Sequence, residues 1–129
     1  MRKSLKILLA DDSEIVRRGI RDLVRSRLQE WSVCGEVAER DQIIPRIGEL
    51  KPDVVLLDLS MVRLSGIGFV KTLNEMFPRT AIVIMSEQEP SVLRHMAESL
   101  AFGHFISKSM LGSHLIPQLE AISRTPNSR

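Results

Sequence analysis

Apolar residues follow two alternating spacings along this chain. Short, mainly apolar stretches read as strands: Lys6 to Ala10, the strand-like Trp31 to Val37, Asp53 to Leu57, Thr80 to Met85 and a last short one, Gly103 to Ile106. Between them, apolar residues recur every three or four positions, as on one face of a helix. The first such stretch carries Ile15, Val16, Ile20, Leu23, Val24 and Leu28. The second, Gln42 to Leu50, carries Ile43, Ile44, Ile47 and Leu50. Lys51-Pro52 stops it, because proline has no amide hydrogen and disfavours helix in the residue before it. After a loop through Gly66, a third helix presents Phe69, Val70, Leu73 and Met76 and ends near Pro78. A fourth starts at Pro90, which suits a first turn, and holds Val92, Leu93, Met96 and Leu100. The last spans roughly Leu115 to Ile122, with Pro117 confining regular helix mostly to the residues beyond it.

Five repeats of strand then helix predict an α/β fold. Strands that are apolar throughout, rather than alternating, belong to a sheet covered on both faces. Right-handed crossovers then give a doubly wound, five-stranded parallel sheet. The length of 129 residues fits one domain, set at residues 4–123, with residues 124–129 a polar tail or the start of a linker.

Composition narrows the classes. At 43% apolar residues the chain fills a core, so disorder is excluded. The net charge of +2 is small, and the densest basic cluster, Arg17, Arg18, Arg21, Arg25 and Arg27, has helical spacing. It reads as a solvated helix face rather than a nucleic-acid or membrane surface. No spare helix-turn-helix remains, so direct DNA binding by this chain is not expected. One cysteine, Cys34, excludes an internal disulfide and a cysteine-based zinc site, and reads as a small buried filler. The apolar run Ile7 to Ala10 is too short for a signal peptide and ends on acids, and no stretch is long enough to span a membrane. The expectation is a soluble, cytoplasmic protein.

Chemistry gathers where strands end. In an open parallel sheet, ligands bind outside the carboxyl ends of the strands. Here the first strand ends in Asp11 and Asp12, the third in Asp58, the fourth in Ser86, and Lys108 follows the fifth. If the first and third strands are neighbours, three carboxylates converge, and such clusters persist when a cation neutralises them. All-oxygen ligands suit Mg²⁺, which uses few carboxylates. One oxygen of Asp58 is then free to attack phosphorus and form an aspartyl phosphate. Lys108 supplies positive charge and Ser86 a hydroxyl for the phosphoryl oxygens. Singly, each residue reads as an ordinary loop or capping residue; the order acid pair, acid, hydroxyl, lysine is the signal.

The segments LLADDSEIVRRGIRDLV, KPDVVLLDLSM followed by SG, IVIMS and FISKS resemble a response-regulator receiver domain, most closely receivers of the NarL/FixJ (LuxR-like) class. The resemblance covers about Leu5 to Ile122. It implies a flavodoxin-like (CheY-like) sheet ordered 2-1-3-4-5. It implies that Asp58 accepts phosphate from a phosphohistidine of a sensor histidine kinase. Mg²⁺ would be held by Asp12, Asp58 and the backbone carbonyl of Ser60, with Asp11 reaching it through water. Lys108 would pair with the phosphoryl group, Ser86 would move toward it, and Phe105 would occupy the switch aromatic position. Such a domain is not an enzyme beyond its own phosphorylation and slow dephosphorylation. Its output would be a switched surface, with transcription controlled through a further domain. The face of the fourth helix, fifth strand and fifth helix is the one receivers use for output or a homodimer contact.

Four departures stand out. Val62 replaces a usual proline, predicting a less rigid loop. Ser109 follows Lys108 where a proline is common, so the bond between them is open to either isomer. Glu87 replaces a small or apolar residue beside the hydroxyl and is expected to modulate access of anionic donors. The segment LAFGHF adds bulk at Phe102 and His104, with Phe102 a candidate partner contact; His95, His104 and His114 lack zinc spacing. Two other readings compete. One is an atypical receiver working as an interaction module without phosphorylation. The other, a phosphatase of the haloacid dehalogenase type, requires a DxD pattern after the first strand, where this chain has DDS.

Overall fold

The computed structural model describes residues 4–26, 30–62, 66–89, 91, 94, 95 and 104–124. Five parallel strands form one sheet in the order β2-β1-β3-β4-β5: β1 (Leu5–Ala10), β2 (Trp31–Val37), β3 (Val54–Asp58), β4 (Ala81–Ser86) and β5 (Phe105–Ser107). Helices α1 (Glu14–Arg25), α2 (Ile43–Leu50), α3 (Gly66–Met76) and a C-terminal helix (Leu111–Arg124) connect and follow them. The fourth helix expected from Pro90 lies mostly outside the described residues.

The unbroken apolar runs are explained by two cores, because successive side chains of a strand point to opposite faces. Leu5, Ile7, Leu9, Val54, Leu56, Val83 and Met85 face one core, shared with Ile20 and Val24 of α1 and Leu115 and Leu119 of the C-terminal helix. Leu8, Ala10, Val55, Leu57, Ile82 and Ile84 face the other, shared with Ile43 and Ile47 of α2 and Val70 and Leu73 of α3. The sheet is therefore sealed on both sides and exposes its chemistry only at strand ends.

Local signals set the helix limits. The Ser13 hydroxyl accepts the Val16 amide and caps α1, so that helix starts immediately after the acid pair. A 3₁₀ turn, Arg40–Gln42, precedes α2. Lys51 closes α2 in the left-handed region with φ of 50°, its amide bonded to Ile47; Pro52 bars the right-handed alternative. In β2, Cys34 is an extra residue between the pairs Ile7–Val33 and Leu8–Gly35, a bulge in an edge strand. A methyl on Gly35 would meet Leu50 at 2.7 Å, so glycine there lets α2 approach the sheet.

Several expectations are corrected. Strands β3 and β4 end in Asp58 and Ser86 as expected but start one residue later than read, at Val54 and Ala81. Ile15 is 84% exposed and Met76 50%, so neither lies on its helix's buried face. The C-terminal helix starts at Leu111 and passes through Pro117. An interior proline removes one helical hydrogen bond, at about 3 kcal/mol, but its ring is exposed while Leu115 and Leu119 are fully buried. Packing outweighs the local break. Among the described residues, no helix is long and apolar enough to cross a membrane.

Candidate functional site

The register of the two central strands brings the acids together. Ala10 pairs with Leu57, so the next residues, Asp11 just past β1 and Asp58 at the last position of β3, stand side by side. Carboxylate oxygens of Asp11, Asp12 and Asp58 lie within 4.8 Å of one another. Asp11 is fully buried and Asp58 is 2% exposed, whereas Asp12 faces solvent. Asp58 does not mark a strand reaching water: it is a carboxylate held inside.

Lys108 closes the cluster. Its Nζ stands 2.8 Å from Oδ2 of Asp11 and 3.3 Å from Oδ1 of Asp58. Burial by itself would lower the ammonium's pKa, but contact with Asp11 and the charge of Asp58 outweigh it, and the pKa is raised. Oδ2 of Asp11 is fully buried and has the Lys108 ammonium as its ion-pair partner at 2.8 Å. One ammonium cannot balance three carboxylates. A set of three converging carboxylates with one cation among them, open to solvent at Asp12, fits a hard cation.

Both oxygens of Asp58 are engaged by its own 3₁₀ turn, Leu59–Met61. Oδ1 accepts the Ser60 amide at 3.1 Å and Oδ2 the Ser60 hydroxyl at 2.7 Å. The sequence reading left one oxygen free; here the Ser60 hydroxyl holds it. Ser86 is buried at the end of β4, and its Oγ accepts the Gln88 amide at 3.1 Å. Phe105 opens β5 opposite Ile84, half-buried against the core on the α2–α3 side.

The family model of the response regulator receiver domain matches residues 7–120. The chain belongs to that family. A Bacillus subtilis relative, the uncharacterized transcriptional regulatory protein YxjL, is 31% identical over 122 residues, covering 93% of this chain and 55% of that protein. The chemotaxis protein CheY of Thermotoga maritima is 25% identical over 119 residues, 92% of this chain and 98% of that one. A crystal structure of a LuxR-family two-component response regulator from Aurantimonas sp. superposes with a TM-score of 0.78 at 27% identity, over 93% of this chain and 85% of that chain. The chain spans about half or less of the length of the first curated relatives it matches, 55% and 41%.

Within this receiver, the departures from the family pattern acquire structure. Val62 is fully buried in the α2–α3 core, and its amide bonds to the Leu59 carbonyl at 3.1 Å, a bond proline cannot make. The looser loop expected there is anchored by packing, at least to Val62; the next residues lie outside the described ones. No cis peptide occurs among the described residues, so the Lys108–Ser109 bond is trans. Ser107 donates to the Gln88 carbonyl at 3.0 Å and lies 2.9 Å from the Ser109 hydroxyl. A hydroxyl has one proton, so Ser109 is the donor in that pair. The lysine loop is thereby tied to the loop carrying Glu87. The Glu87 side chain is 82% exposed, with Oε2 4.0 Å from Lys108 Nζ at the mouth of the cluster. Phe102 lies outside the described residues.

Sequence reasoning missed two groups. One is Ser107. The other is an ionic network beneath the acid pair, where Arg17 and Arg21 share Glu36 and Glu14. The arginine cluster is thus only partly a solvated face. The available signals were Arg17 and Arg21 four apart on one helix face, and Glu36 as the only charged residue within β2.

Proposed function

We propose that this receiver takes a phosphoryl group onto Asp58 from a phosphohistidine of a sensor histidine kinase, and that the modified site switches its output surface. The observation that carries the reading is Lys108 bridging buried Asp11 and Asp58 beside a third carboxylate. A carboxylate oxygen of Asp58 attacks phosphorus, the P–N bond to the imidazole breaks, and the imidazole leaves with its electron pair. Asp11, Asp12, Asp58 and the Ser60 carbonyl would hold Mg²⁺, which when bound neutralises charge on the acids and on the transferred group. Lys108 pairs with the phosphoryl oxygens, because its short contacts already aim the ammonium into the cluster. The Ser60 hydroxyl must release Oδ2 of Asp58 if that oxygen is the nucleophile. Ser86 Oγ, which accepts the Gln88 amide, donates its hydroxyl proton to a phosphoryl oxygen, and Phe105 repacks in response. The surface of β5 and the C-terminal helix is the proposed output or homodimer face.

A second reading has its own support. Glu87 near Lys108 and the engaged oxygens of Asp58 favour a receiver regulated by protein contact without phosphorylation. Intact mass after incubation with Mg²⁺ and acetyl phosphate or phosphoramidate tests the first reading. The proposal expects one added phosphoryl group in the wild type and none in Asp58→Asn. No addition from either donor, with Mg²⁺ binding measurable, would point to a kinase-restricted or phosphorylation-independent receiver, and Glu87→Ala would be the next protein to test.

A further inference from the structure

We propose that Arg17 is a positioning residue for the acid pair, orienting the Asp11–Asp12 peptide from outside the cluster. This rests on the reading that Asp11, Asp12 and Asp58 bind Mg²⁺. Arg17 lies in the first turns of α1, with its side chain only 14% exposed. Its guanidinium serves three acceptors at once. Nη1 donates to the backbone carbonyl of Asp11 at 2.7 Å, Nε donates to Oε1 of Glu36 at 2.8 Å, and Nη2 donates to Oε1 of Glu14.

The brace behind it is rigid. Glu36 sits in β2, hydrogen-bonded into the sheet, and its carboxylate also accepts two bonds from Nη1 of Arg21, at 2.6 and 2.8 Å. Arg17 is therefore fixed at one side by the sheet and at the other by its own helix, leaving one donor aimed at Asp11. Asp11 has its amide on the Val37 carbonyl and Oδ1 on the Ser13 amide. The Arg17 bond adds the carbonyl and so sets the plane of the peptide that leads into Asp12, the exposed acid. A planar fork with donors in fixed directions can span these three acceptors; a lysine ammonium cannot.

Charge and position make opposite predictions for Mg²⁺. If Arg17 acted only as a nearby cation, removing it would tighten binding of a divalent ion to the acids. If it holds the peptide, removing it loosens binding although a repulsive charge has gone. A purely structural role would lower the melting temperature and leave affinity unchanged.

Titration calorimetry with Mg²⁺, supported by Mn²⁺ electron paramagnetic resonance, separates these cases on the full chain. Arg17→Met is expected to bind roughly tenfold more weakly, the lower end of what loss of an outer-sphere partner does. Arg17→Lys keeps the charge and is expected to recover only part of the affinity. Glu36→Gln weakens the brace while leaving Arg17 in place and should show a smaller loss; because it also removes a negative charge, the charge-preserving Arg17→Lys is the variant that decides the matter if Arg17→Met fails to fold. Unchanged or tighter binding in the folded variants, with Asp12→Asn losing affinity, would overturn the role of Arg17 and leave the proposed metal site standing. A wild type that takes up no Mg²⁺ would overturn both.

Discussion

On the proposed function, a single side chain at the rim would tune access to this site. Glu87 stands 4.0 Å from the Lys108 ammonium and is open to solvent, where it would compete weakly for the lysine and repel incoming anions. Replacing it with alanine should speed labelling by acetyl phosphate roughly two- to fivefold, given about 1 kcal/mol for a charge pair in water at that range. Rates of phosphoryl gain by intact mass in Glu87→Ala and wild type measure this, and equal rates would show Glu87 to be a bystander. Asp58 shows what one residue hides from sequence. Its place at the end of an apolar run was legible, but not that it is buried, nor that Ser60 would occupy both its oxygens. Arg17 was harder still. A sequence reader sees a basic residue on a helix and assigns it to water, because nothing local says that Glu36 lies opposite.

Elements were legible where hydrophobic periodicity is strong and blurred where chain ends meet. The central strands β3 and β4 were the most readable, because each faces two cores and is buried along its whole length; the outer strand β2 admits Ser32 and Glu36. Helix limits depended on effects that a pattern does not carry. The C-terminal helix runs through Pro117 because burial of Leu115 and Leu119 outweighs a missing hydrogen bond. The end of α2 was readable from Lys51-Pro52, but not its geometry, a non-glycine residue at φ of 50°. That conformation disfavours a side chain, so Lys51→Gly should stabilise the fold by about 0.5–1 kcal/mol, the gain net of glycine's greater freedom in the unfolded chain. Denaturant unfolding measures it. Lys51 lies at the end of the sheet remote from the acids, so Mg²⁺ affinity should stay as in the wild type.

At the scale of the whole molecule, the proposed site couples to stability. A ligand bound only by the folded chain stabilises it, by about 2.7 kcal/mol at a hundred times its dissociation constant. For a domain of this size that corresponds to a rise in melting temperature on the order of 10 °C. Calorimetric scans with and without Mg²⁺ should show this in the wild type and lose most of it in Asp12→Asn. A shift of equal size in both would place the ion elsewhere.

The bulge at Cys34 bears on how copies of this chain tolerate one another. A sheet ends in two rows of unpaired amides and carbonyls, which invite a strand from a second molecule. Here one border, β2, is bent by its extra residue, and the other, β5, is three residues long. Neither offers a long, flat template, so crowding at high concentration has little to nucleate fibrils by strand addition.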